Sequence, residues 1–151
     1  MKQNEYIQAI DEMIIPASKI LFWATIVEQQ YQEYYEQYNK INRAFFDQVI
    51  VAAQDLVNLI PKAQDIEQTD KTEIFTHMLS GPIMTIRDST KLILLQHKGQ
   101  GEGQSERKNE YIRYLQKIKS AAEYLSSLDR DAVLKIHIKN LNDERGLSTN
   151  I

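Results

Sequence analysis

Two stretches of this chain, AAQDLVNLIPKA from Ala52 and AAEYLSSLDRDA from Ala121, place apolar residues at the same alternating steps of three and four. That spacing is the seam of one helix lying along others, and it leaves no room for the period-two alternation of a strand. The match runs over the seven seam positions from Asn42 to Ala63 in one copy and from Tyr111 to Ala132 in the other, at an offset of 69 residues. A second pair repeats at an offset of 66 residues, where DEMIIP (Asp11 to Pro16) lies over HMLSGP (His77 to Pro82). There the prolines are in register, and Met13, Ala17 and Ile20 fall on Leu79, Ile83 and Ile86. Apolar agreement between amphipathic helices arises readily by chance, so the shared mid-helix proline and the AAxxLxxL run carry the inference of a duplication. The expected fold is all-α, an antiparallel four-helix bundle made of two tandem helical hairpins in one domain. Its expected limits are hairpin one over 3–61, a linker over 62–70, hairpin two over 71–140 and a frayed tail over 141–151.

The first helix is expected from Asn4 to about Tyr31, with Ala9, Met13, Ala17, Ile20, Ala24 and Val27 on one face and Pro16 inside it. No Gly or Pro marks a turn in EQQYQEYYEQYNKIN, so a reversal between Gln32 and Lys40 follows from architecture alone. Helical periodicity returns from Asn42, with a seam at Phe45, Val49, Ala52, Leu56 and Leu59, and Pro61 is expected to close that helix. Asp70 and Glu73 have capping-box spacing ahead of a third helix that runs to about His97. KGQGEGQSERK, with Gly99, Gly101 and Gly103, is the strongest loop signal. A fourth helix begins near Ser105 to Asn109, its seam at Tyr111, Tyr114, Ile118, Ala121, Leu125, Leu128 and Ala132.

At 151 residues the chain suits one domain with a sizeable core. A net charge of -3 with no long Lys/Arg run gives no electrostatic footprint for nucleic acid. The absence of cysteine rules out disulfides and thiolate chemistry. Pro16, Ser18 and Lys19 interrupt the apolar run from Ile14 to Val27, which is too short to span a bilayer, and MKQNEYIQAIDEMI lacks a signal-peptide core. A cytoplasmic protein that contacts no membrane is expected. No metal and no cofactor is expected either, because the glycine segment has neither a preceding strand nor a following Lys-Ser/Thr, and His97 and His137 lack partners at ligand spacing.

The remaining feature is THMLSGPIMTIRDSTKLILLQ, from Thr76 to Gln96. Leu79, Ile83, Ile86 and Ile93 define a buried stripe, and His77, roughly 200° around the helix from Leu79, faces solvent in this reading. Pro82 removes one backbone hydrogen bond just below it and is expected to kink the helix.

This box resembles the phosphoacceptor region of sensor histidine kinases, in their dimerisation and histidine-phosphotransfer domain. There a His is followed by Leu two residues on, Pro at the fifth, and Ile or Leu beyond; His77, Leu79, Pro82, Ile83 and Ile86 fill those positions. The resemblance covers about Asp70 to Lys139, and more faintly the first hairpin. It implies a bundle of two hairpins, here joined in one chain, with Asp11 where a second histidine would stand, so that His77 is the single phosphoacceptor and hairpin one is structural. Three departures accompany it. Met78 replaces the acidic residue that serves as base in autophosphorylation, and Gly81 replaces the Thr or Asn that orients water. No ATP-binding domain follows the fourth helix, so the chain is not expected to be an autonomous kinase.

What the resemblance implies is a phosphotransferase-like relay protein, monomer or homodimer, exchanging a phosphoryl group at His77 with a response-regulator receiver domain. Such a regulator supplies its own aspartate and magnesium, so the histidine protein need offer little beyond position. Met78, Gly81, Met84, Arg87 and Asp88 are the expected partner-binding residues, on the surface where the family docks its partners. The alternative is a non-catalytic module that keeps the docking surface and sequesters or regulates a kinase or response regulator, a reading that Met78 and Gly81 favour. An unrelated scaffolding role is a third. Tyr31, Tyr34, Tyr35 and Tyr38 are expected to cover one end of the bundle.

Overall fold

The computed structural model describes residues 5–35, 40–65, 71–97 and 105–149, with the side chains of 5–7, 35, 40–41, 65, 71–77, 136–137, 139–140 and 143–149 outside that description. Six helices appear in chain order: α1 (Glu5–Asp11), α2 (Ile14–Gln30), α3 (Gln32–Tyr35), α4 (Lys40–Asp65), α5 (Lys71–His97) and α6 (Glu106–Thr149). The described residues contain no strand. The protein is an all-α helical bundle in which α4 packs on α5, α5 on α6, and the α1–α2 segment on both α4 and α6.

Contacts between helix ends show how neighbours run. Gln64, near the end of α4, donates to Asp11 at the end of α1 (2.7 Å), and Ser89 in α5 donates to Gln48 in α4 (3.4 Å). Ser80 near the start of α5 donates to Asp129 far along α6 (2.7 Å), while Tyr31 after α2 donates to Glu110 near the start of α6 (2.8 Å). The last three of these pairs join an early part of one helix to a late part of the other, so α5 runs antiparallel to α4 and to α6, and α2 antiparallel to α6.

The core follows the internal repeat. Met13, Ala17, Ile20, Ala24, Val27 and Tyr31 are all buried, and so are their counterparts 66 residues on: Leu79, Ile83, Ile86, Thr90, Ile93 and His97. In α4 the buried positions are Asn42, Phe46, Val49, Ala53, Leu56, Ile60 and Ala63. Their counterparts in α6, 69 residues on, are Tyr111, Leu115, Ile118, Ala122, Leu125, Asp129 and Ala132, and these are buried too. This corrects the seam expected from the sequence by one position at several steps: Phe46 and Ile60 are buried where Phe45 and Leu59 are not fully so, and Leu115 and Ala122 displace Tyr114 and Ala121. Each seam must face two neighbouring helices, so the inward stripe is wider than a two-helix seam.

Three helix limits also differ from the sequence reading. The first helix is interrupted at Glu12 and Met13, because Pro16 has no N–H to give the Glu12 carbonyl. The chain tightens there, with Met13 N–H bonded to the Ile10 carbonyl (3.0 Å) and Ala17 N–H to that of Met13 (3.0 Å). Pro82 presents the same deficit, yet α5 continues across it. Pro61 does not close α4, which runs on to Asp65 and narrows the linker; fully buried Ala63 anchors that last turn in the core. Finally, α6 extends to Thr149, past the limit of 140 expected for hairpin two.

At about 1.5 Å per residue α6 is roughly 66 Å long and outruns its neighbours. Ser80 lies opposite Asp129, so the start of α5 at Lys71 falls near Ile138, and Leu134, Ile138 and Leu141 are correspondingly exposed. The turn from α2 to α4 contains Tyr31 and α3; residues 36–39, which include Tyr38, lie outside the described residues, as do Asp70 and the glycine segment.

Leu56 and Leu125 are repeat mates, both fully buried, so Leu56→Ala and Leu125→Ala should each lower stability by about 2–5 kcal/mol. Val51→Ala, at an exposed site on α4, should change it by less than about 1 kcal/mol. Urea unfolding followed by circular dichroism measures all three.

Candidate functional site

The α5 helix carries the box around His77. Leu79, Ile83 and Ile86 point into the core and are fully buried, with Ile93 continuing the same stripe. Pro82 is half-buried. The side chain of His77 lies outside the described residues; its position in α5 shares a helix face with Gly81, Met84 and Asp88, four, seven and eleven residues on. That face is open: Gly81 and Asp88 are exposed, Met84 is 48% exposed, and beside them Met78 is 46% exposed. A Cβ built on Gly81 would meet nothing within 4 Å, so packing does not require glycine there. An alanine would strengthen the helix by roughly 0.8–1 kcal/mol.

Arg87 is placed differently from Met78, Gly81, Met84 and Asp88. Its Nη1 donates to Ser126 of α6 (3.0 Å) and its Nε to Asp88 (3.0 Å). The guanidinium therefore spans the α5–α6 contact and steers Asp88, rather than standing free on the exposed face of α5. Ser80, three residues after His77, reaches across to α6 and holds the buried carboxylate of Asp129. Sequence reasoning passed over Asp129 and Ser126, although a visible signal existed: polar residues at 126 and 129, amid the apolar seam Leu125, Leu128 and Ala132, require partners. The repeat mate of His77 is Asp11, which is exposed at the end of α1 and accepts the bond from Gln64.

At the opposite end of the bundle the tyrosines assemble as a polar-aromatic cap. The Tyr31 ring lies 6.4 Å from Tyr34, 6.4 Å from Tyr111 and 5.8 Å from Tyr114, and Tyr34 stacks on Tyr111 at 5.5 Å. The Arg107 guanidinium sits 4.8 Å over the Tyr31 ring, pairs with Glu33 at 2.5 Å and donates to the Gln30 carbonyl. The Arg107 hydrogen bond pulls the Glu33 carboxyl below its ordinary range, and the same bond raises the Arg107 pKa. Accepting a hydrogen bond from the Tyr31 hydroxyl, the Glu110 carboxylate raises the tyrosine pKa, with burial second. Ser105 caps α6, its hydroxyl accepting from the Lys108 N–H at 3.2 Å.

His97 ends α5 within this cap. It is 4% exposed, edge-on to the Tyr111 ring at 5.2 Å and within 3.2 Å of the Tyr111 hydroxyl through Nε2. Burial lowers its pKa to about 4, and the Lys108 charge adds to this. Although it ends a helix, His97 is a neutral core residue. His137 lies in α6, its side chain outside the described residues.

No group of three or more His, Asp or Glu among the described residues could hold a metal ion, and no described helix is long and apolar enough to cross a membrane. Comparisons of the chain with protein-family models, curated proteins and solved structures found no match.

His97 predicts an acid sensitivity of definite sign. In the unfolded chain a histidine titrates near 6.5, and in the fold His97 titrates near 4, so between these values the unfolded state binds more protons. The stability contributed by neutral His97 is complete above about pH 6.5 and is lost progressively as pH falls toward 4. Urea midpoints measured across that range should fall more steeply in the native protein than in His97→Gln.

Proposed function

We propose that this protein is a histidine phosphotransfer protein of a two-component relay, acting at His77 on a response-regulator receiver domain that docks on the exposed face of α5. The observation that best supports docking there, which relay requires, is the bare backbone at Gly81. This glycine weakens α5, no neighbouring atom demands it, and it lies one turn beyond His77 between two exposed methionines. A flat, apolar-rimmed patch of this kind lets a partner approach the helix closely. Exposed Asp11, the repeat mate of His77, places this position of the repeat at the surface in hairpin one.

Transfer needs little from the bundle. An unperturbed imidazole is largely neutral near pH 7, and its unprotonated nitrogen attacks phosphorus in line. The N–P bond forms as the acyl O–P bond of the regulator's phosphoaspartate breaks, and the aspartate leaves as a carboxylate; the reverse step regenerates it. Magnesium and the aspartate belong to the regulator, whose metal offsets the phosphoryl charge. A cytoplasmic location fits such a relay. The two similar hairpins of one chain take the place that two chains fill in the kinases this box resembles.

A second reading is favoured by Met78 and Gly81, which stand where kinases carry an acidic base and a water-orienting Thr or Asn. In it the same face docks a kinase or regulator and transfers nothing. Incubation with a 32P-labelled receiver domain, alongside a binding measurement, separates the two. Relay predicts acid-labile label on the protein, its loss in His77→Gln, and binding of the receiver unchanged within about two-fold, the span of a surface substitution. Label that persists in His77→Gln contradicts phosphorylation at His77, and unlabelled but stable complexes support sequestration.

A further inference from the structure

On the side of the bundle that α5 does not reach, α2 and α6 enclose an open groove of about 820 Å³. One wall carries Ile15, Lys19 and Trp23, spaced one helical turn apart along α2. The other carries Arg113, Lys117 and Tyr124 along α6. The antiparallel pairing sets Trp23 beside Lys117, whose ammonium lies 6.0 Å from the indole centroid and 5.5 Å from that of Tyr114. Ile15 and Tyr124 form the apolar end.

Three features indicate what fits there. First, α2 is apolar around its circumference: from Ile14 to Val27 Lys19 is the one charged residue. Ala17, Ile20, Ala24 and Val27 satisfy the core, while Ile15 and Phe22 remain 65% and 63% exposed on other faces. A helix with this pattern is ordinarily covered on more than one side. Second, the lining is cationic in a chain of net charge -3, with Lys19, Arg113 and Lys117 against Glu12 alone. None of those three cations reaches a carboxylate among the described residues; Arg113 Nε donates to the Asn109 carbonyl at 3.3 Å. Third, the groove runs for about 12 Å along α2, eight residues at 1.5 Å each, which matches two to three turns of another helix laid into it.

We propose that this groove docks an acidic amphipathic helix of a partner protein, its apolar face against Ile15, Trp23 and Tyr124 and its flanking carboxylates against Lys19, Arg113 and Lys117. A second copy of this chain meeting groove to groove would set those cations against their own copies, which like-charge repulsion disfavours. The site shares no residue with the α5 face, so it stands independently of the relay reading.

Trp23 is the single tryptophan of the chain and reports occupancy directly. The probe is a capped peptide of about 18 residues, five helical turns, with Leu on one face, Glu on the flanks and no aromatic residue. Its control has Lys in place of every Glu. The acidic peptide should shift Trp23 emission to shorter wavelength and saturate, and the basic one should bind about ten-fold more weakly, as three exposed ion pairs allow. Reversing the three exposed cations in Lys19→Glu/Arg113→Glu/Lys117→Glu should invert that preference without changing the circular dichroism spectrum. Equal binding of both peptides, or an unchanged preference in the reversed variant, overturns the proposal. So does a response to phosphatidylglycerol vesicles with none to the peptide, which would identify a lipid surface. Concentration-dependent dimerisation that shifts Trp23 emission without any peptide would identify a second copy as the occupant and overturn it equally.

Discussion

Everything in this molecule depends on one constraint: every long helix must bury a stripe against two neighbours at once. Met13 to Tyr31 and Leu79 to His97 supply one pair of stripes, and Asn42 to Ala63 and Tyr111 to Ala132 the other. Burial recurs position by position between mates even where the chemistry differs, as at Ala24 and Thr90, Tyr31 and His97, or Ile60 and Asp129. Geometry is therefore repeated and side-chain chemistry is not. Two of the polar members that replace an apolar mate are hydrogen-bonded, Asp129 to Ser80 across α5 and α6, and His97 to Tyr111.

The fold class and the repeat were legible in the sequence because the spacing of apolar residues and the burial pattern have one physical cause. The exact stripe was less legible. Where apolar residues stand side by side, as at Phe45 and Phe46, Leu59 and Ile60, or Tyr114 and Leu115, periodicity alone cannot choose the inward member, and packing against a second neighbour decides it. Prolines misled for a related reason. Pro61 sits where buried Ala63 beyond it holds the helix together, whereas the chain at Pro16 gives way at Glu12 and Met13; Pro82 lies inside α5, as its helical pattern suggested.

Of the candidate site, Met78, Gly81, Met84 and Asp88 share the open face that the sequence suggested, while Arg87 is tied to Ser126 and shapes the surface indirectly. What the sequence concealed was the role of long-range partners. Nothing local connects Arg87 with Ser126 or Ser80 with Asp129, because helix-to-helix contacts are set by how the hairpins close. The same holds for the cationic groove, where Lys19 and Lys117 meet only because α2 and α6 lie antiparallel. The apolar-rimmed face on α5 and the cationic groove between α2 and α6 are separate surfaces with no lining residue in common.

The α5 face is where partner docking would be felt first, and the methionines provide a direct probe of it. Four are present, and three are described: Met13 is fully buried in the core, while Met78 and Met84 flank Gly81 at the surface. With methyl-13C-methionine protein titrated by a receiver domain, the Met78 and Met84 resonances should shift and saturate together while Met13 stays in place. Shifts confined to other residues, or no shift at saturating receiver, would contradict docking on this face.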